Sequence, residues 1–169
     1  MSITMHSASV PVFVRTLENL LTWLDKAEAN ALAKKFDPAV YLAARLAPDM
    51  LPMAKQIQIA CDSAKFGVAR LAGVDAPKFD DTESNLAELR MRVKKTIDFV
   101  RSVPAAAIDG TEGKDVVVPR RDGSMTLKGE FYLKHYVLPN VYFHVTMTYA
   151  LLRHNGVDLG KGDYLGALT

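Results

Sequence analysis

Apolar residues recur at three- and four-residue spacing in four separate runs of this chain, the pattern of helices that each bury one face. In the first run Val10, Phe13, Leu17, Leu20, Leu21 and Leu24 gather on one stripe at ~100° per residue, which predicts a helix from Ser9 to about Ala31. Ser7 or Ser9 is placed to cap it, and Pro11 is tolerable only within its first turn. Asp37-Pro38 opens the second run, whose stripe is Leu46, Met50, Met53, Ile57, Cys61, Ala64, Val68 and Leu71, ending near Gly73. Pro48 and Pro52 lie inside this span, so a break or kink is expected between Leu46 and Met53. The third run begins around Asp81 to Asn85, where Asn85 and Glu88 have capping-box spacing. It presents Leu86, Leu89, Val93, Ile97 and Val100, and stops by Pro104. The fourth extends from about Glu130 to Asn155, with a kink expected at Pro139 and Gly156 as the left-handed residue that ends it.

Between the third and fourth runs the pattern changes. Val116, Val117 and Val118 are β-branched, Arg121-Asp122-Gly123-Ser124 is a turn signal, and Met125-Thr126-Leu127 can return as a second strand. A two-stranded hairpin is marginal alone, so it must pack on a helix or pair with another edge, which also makes it a candidate dimer contact. The residues beyond Gly156 are expected to lie extended on the bundle. The prediction is an all-α four-helix bundle with up-down connections, a long crossing segment and a small β-hairpin between helices three and four, forming a single domain over residues 1–169.

Composition narrows the function classes. A chain of 169 residues and 18.6 kDa suits one core. With 49% hydrophobic and 24% charged residues, disordered and collagen-like readings fail. Lys plus Arg is 21 against 19 for Asp plus Glu, a net charge of +2 that points to neither nucleic acid nor an anionic membrane. Cys61 is the single cysteine, so no internal disulfide forms and a reducing compartment is expected. No Lys or Arg precedes Arg15, and Pro11 breaks the short apolar run Val10 to Val14, so no export signal is expected. The longest apolar stretches, such as Ala39 to Ala44, are about six residues against the roughly 20 that cross a bilayer. A cytoplasmic location follows as the expectation.

Candidate chemistry centres on the fourth helix. Leu133, Val137, Asn140, Val141, Met147, Thr148 and Leu151 fall within roughly 60° of His144 around its axis, whereas His135 lies about 180° and His154 about 80° away. His144 therefore points into the bundle, with Asn140 one turn before it on the same face. On helix two Asp49 and Gln56 stack two turns apart beside the apolar stripe, placed to answer the imidazole nitrogens. Two readings stand side by side: a satisfied buried network, or the polar floor of a small-molecule pocket made by His144, Asn140, Gln56 and Asp49. A metal site can draw on His144, Asp49 and His6 at most, so no cofactor is expected, a divalent metal being the alternative. Cys61 reads as a small buried apolar residue, not a nucleophile. Arg90, Arg92, Lys94 and Lys95 interleave with Glu88 and Asp98 as a solvated helix surface. Gly160-Lys161-Gly162 lacks the earlier Gly and following Ser or Thr of a phosphate loop. Trp23, Tyr142 and Tyr149 fall off the main stripes, where surface or dimer-interface packing is the ordinary role.

The strings ASVPVF at 8–13, LAPDMLPM at 46–53, ARLAG at 69–73, PNVYFH at 139–144 and LRHNGV at 152–157 together carry a family resemblance over nearly the whole chain. The chain resembles the uncharacterised bacterial family DUF1993, which is placed by similarity in the DinB/YfiT-like superfamily. The resemblance implies a four-helix bundle, often dimeric, frequently with three histidines on a divalent metal, and in some members thiol-dependent transferase or isomerase activity. Two of those histidines lie one turn apart on the last helix, at positions similar to Asn140 and His144. The third comes from helix two, where this chain offers Gln56 or Asp49. An amide thus replaces one histidine and no histidine supplies the third, and amide oxygens are poor ligands for zinc or nickel. The expectation is a non-catalytic or cryptic small-molecule-binding bundle, a homodimer without the usual metal site. The alternative is a DinB-like metal-dependent thiol transferase or hydrolase around His144 and Asp49. A third class is an interaction protein that uses the hairpin and the Trp23 surface.

Overall fold

Four long stretches of the computed structural model, which describes residues 2–167, are helical where the period predicted them. They are α1 (Val10–Lys34), α2 (Met53–Ala72), α3 (Leu86–Ser102) and a last helix in three parts. Those parts are α5 (Gly129–Phe131), a π-helical segment (Tyr132–Val137) and α6 (Leu138–His154). There are also two short α-helices, α4 (Ala105–Ile108) and α7 (Lys161–Leu165), and a short 3-10 helix between α1 and α2.

Local chemistry accounts for most ends. Neither Ser7 nor Ser9 caps α1. Thr4 Oγ1 accepts from the Ser7 amide and Ser7 Oγ from the Thr4 amide, so a capped turn begins earlier and runs into α1, while Ser9 Oγ donates to the Met5 carbonyl. The segment predicted as one broken helix separates completely at its prolines. Asp37 caps a short 3-10 helix (Pro38–Ala43), residues 44–52 are irregular, and α2 starts only after Pro52. Asn85 Oδ1 accepts from the Glu88 amide as expected, whereas the Glu88 carboxylate takes the Ser84 amide one residue earlier than a standard box. At Pro139 the expected kink gives way to a π-helical register just upstream. The proline has no N–H to return to the carbonyl four residues back, and the widened turn takes up that loss.

The four long helices form a ring in which α2 touches α3 and α6, α1 touches α3 and α6, and α1 and α2 lie across the diagonal. Side-chain pairs fix the directions. Arg90 with Asp25 and Arg101 with Glu18 make α1 and α3 antiparallel. Gln56 with His144 and Gly67 against Val137 make α2 and α6 antiparallel. Trp23 with Tyr149 and Asn30 with Gly156 make α1 and α6 parallel. The order is therefore up-down-down-up, with α2 and α3 parallel, in place of the alternating connections expected. The crossing segment 73–85 carries the chain back to start α3 beside the start of α2.

The hairpin pairs β1 (Asp115–Arg120) with β2 (Gly123–Lys128) in antiparallel register, Arg120 facing Gly123 across Arg121-Asp122. Val116 and Val118 are buried and Val117 is exposed, so β1 lays one face on the bundle. Trp23 corrects the sequence expectation: no part of it is exposed. Residues 161–165, expected to be extended, form α7 instead. Trp23 Nε1 donates to the Asp163 carbonyl, the Tyr164 ring stacks on the indole at 5.6 Å, and Tyr149 meets it edge-on. A helix that touches α3, α6 and α7 buries a wider arc than one stripe.

Candidate functional site

His144 projects from the middle of α6 towards the first turn of α2. Its Nδ1 lies 2.7 Å from Gln56 Oε1, and Gln56 Nε2 donates to the Leu51 carbonyl at 3.0 Å. The second bond fixes which end of the amide faces the ring, so Nδ1 carries the proton and donates, leaving the lone pair on Nε2. Among the described residues Nε2 has no hydrogen-bond partner, and the ring is 9% exposed. Burial lowers the His144 pKa below its ordinary value, which keeps the imidazole neutral at neutral pH. Phe143 stands edge-on at 5.1 Å, and both Phe143 and Leu51 are exposed. The arrangement is an oriented acceptor with apolar neighbours.

The other sequence candidates are placed differently. Gln56 joins His144. Asn140 is half-buried and donates its amide back to the Tyr136 carbonyl of its own helix. Asp49 does not stack on helix two: it is exposed in the loop before Pro52, because Pro48 and Pro52 end any helical phase there. His6 is tied through its backbone amide to Asp109, near the far end of α2 from Gln56. Among the described residues no three His, Cys, Asp or Glu side chains come together in a metal-holding group. The donors near His144 do not fit the three-histidine pattern, since Gln56 Oε1 is committed to the imidazole itself.

Sequence reasoning missed a second polar cluster. Arg92, read as part of a solvated surface, is buried, and so is Lys65. Arg92 bonds Glu83 at 2.9 Å, Asp81 at 3.0 Å and Asp62 at 3.3 Å, and Lys65 bonds Asp62 at 2.9 Å while lying over the Phe79 ring. Burial opposes the Arg92 charge, but the Glu83 bond and the charges of Asp62 and Glu83 outweigh it and raise its pKa. Asp81, Glu83 and Phe79 belong to the crossing segment, which folds over the α2–α3 seam and covers both cations. The only sequence signal was the acidic run Asp80-Asp81 with Glu83 before α3. Cys61 is fully buried in the same seam, and desolvation pushes its thiol up to about 12.

A family profile described as "Domain of unknown function (DUF1993)" matches residues 5–165. The crystal structure of a DinB family member from Shewanella denitrificans, at 1.83 Å resolution, superposes with a TM-score of 0.91 at 44% identity. The match covers 96% of this chain and 92% of that one. No curated protein matches.

Proposed function

The chain belongs to the DUF1993 family, and from that premise we propose that it is a small-molecule-binding helical bundle whose recognition atom is His144 Nε2. One observation carries this reading. The imidazole is buried, neutral and held through Nδ1 by Gln56, yet its second nitrogen is unbonded among the described residues. Nε2 is not sealed inside the core, since the buried unpartnered side-chain atoms among the described residues are Gln58 Oε1 and Arg92 Nε, and an oriented, accessible lone pair beside the exposed Phe143 and Leu51 suits a compact, mainly apolar ligand with one O–H or N–H donor. The metal that the superfamily commonly carries does not fit the donors present, because Gln56 Oε1 is taken up by His144 Nδ1. No helix among the described residues is long and apolar enough to cross a membrane.

The test is nitrogen-edited NMR of the histidine side chains against a library of small alcohols, amides and amines. Ligands are expected to move the His144 Nε2 resonance and to lose affinity in His144→Phe. A library that leaves the His144 ring signals in place, or hits that bind His144→Phe unchanged, would overturn the reading.

A further inference from the structure

A groove separate from His144 lies where β1 meets α2 and the π-helical segment. It holds about 160 Å³, and its walls include Ser63, Phe66 and Arg70 of α2, Pro119 of β1, and Tyr132 and Tyr136. It adjoins a broader depression of about 590 Å³ that shares Pro119 and Tyr136 and adds Arg120 and Arg121. Tyr132 and Tyr136 stack at 5.7 Å and 19°, presented by a π-helical stretch, a backbone form frequent at functional sites.

Arg70 distinguishes this groove. Its guanidinium is half-buried and lies 4.9 Å from the Phe66 ring, and one N–H donates to Tyr132 Oη at 3.2 Å, while that hydroxyl donates to the Phe66 carbonyl. No carboxylate lies within ion-pair distance of it among the described residues. The one acid on the inner wall, Asp62, is committed to Lys65 and Arg92. That neighbouring cluster balances internally: Lys55, Lys65 and Arg92 face Asp62, Asp81 and Glu83. In the outer depression Asp122 is set against Arg120 and Arg121. Arg70 is thus a fixed, aromatic-flanked cation whose remaining N–H groups have no anion, a geometry suited to a forked carboxylate. The space is that of one ring, since a cavity of roughly 150 Å³ takes benzene.

We propose that this groove binds a small aromatic carboxylate, its ring against Tyr136 and Pro119 and its carboxylate on the Arg70 guanidinium. The site does not depend on the His144 reading, and each can fail without the other. The probe is benzoate, with benzamide as its neutral isostere, followed by NMR on the unaltered protein. Benzoate is expected to shift Arg70 side-chain and Tyr136 ring signals and to bind at least tenfold more tightly than benzamide. Arg70→Gln is expected to lose that tenfold, and Ser63→Phe, which fills the groove and leaves Arg70 in place, to abolish binding. His144→Phe is expected to bind benzoate as the parent does. Equal affinity for the two probes, no groove shifts at millimolar benzoate, or undiminished binding by folded Ser63→Phe would overturn the proposal. The comparison of the two probes stands even if Arg70→Gln fails to fold.

Discussion

A hydrogen bond of 2.7 Å between His144 Nδ1 and Gln56 Oε1 joins the middle of α6 to the first turn of α2 across the bundle. Its replacement separates charge from structure. Gln56→Glu places a carboxylate against the ring and is expected to raise the His144 pKa above its value in the parent protein, as followed by the ring-proton NMR titration. Gln56→Leu leaves Nδ1 buried without an acceptor and is expected to cost about 1–3 kcal/mol in urea unfolding.

Stability should also depend on pH through His144. Its folded pKa is depressed below the ordinary 6.5, so the unfolded chain takes up the proton first as pH falls. The contribution is complete above about 6.5 and is lost as pH falls from there through the folded value. Unfolding free energies across this range should therefore decline more steeply for the parent than for His144→Phe. Equal slopes would assign the decline to other groups.

Gly67 allows α2 to approach the π-helical segment. A Cβ built there would lie 2.5 Å from Val137 Cγ1, and Val137 is buried and stiff at χ1. Gly67→Ala gains about 1 kcal/mol of helix propensity and incurs about 1–3 kcal/mol of overpacking, so net destabilisation is expected. Val137→Ala in the same chain should recover part of it, and chemical denaturation of the single and double variants checks both statements.

The Cys61 thiol, fully buried and pushed up to about 12, should resist alkylation in the native protein. Labelling is expected to proceed at the rate of global unfolding and to become fast in denaturant. Rapid native labelling would contradict the packing of the α2–α3 seam.

Arg92 holds the crossing segment down. Arg92→Ala leaves Glu83 with its Gln58 bond alone and deprives Asp62 and Asp81 of a shared cation. Because Asp62 and Asp81 are partly solvated and only Glu83 is nearly buried, the loss is expected to be about 1–3 kcal/mol, measured by thermal and urea unfolding.

Much of the fold was legible because its signals are local. The stripe Val10 to Leu24, the Asn85–Glu88 spacing, the Pro48 and Pro52 break and the Val116–Leu127 hairpin each depend on residues close in sequence. His144 faced inward for the same reason, as helical period alone orients it. What escaped was decided between distant segments. Asp49 lost its helical phase to two prolines, Trp23 was covered by α7 far along the chain, and Arg92 was buried by a crossing segment that looked like linker. The direction of α3 was equally hidden, because the length of residues 73–85 permits either an alternating or a parallel arrangement.

The α7 seal over Trp23 also makes the closing of the core depend on contacts made far along the chain. Every helix of the ring precedes residues 161–165 in the chain, so the segment that covers the indole is added from outside the ring. There the indole is covered by the Asp163 carbonyl and the Tyr164 ring. Undocking of α7 would therefore bare an aromatic surface without dismantling the ring of helices, a local opening distinct from global unfolding.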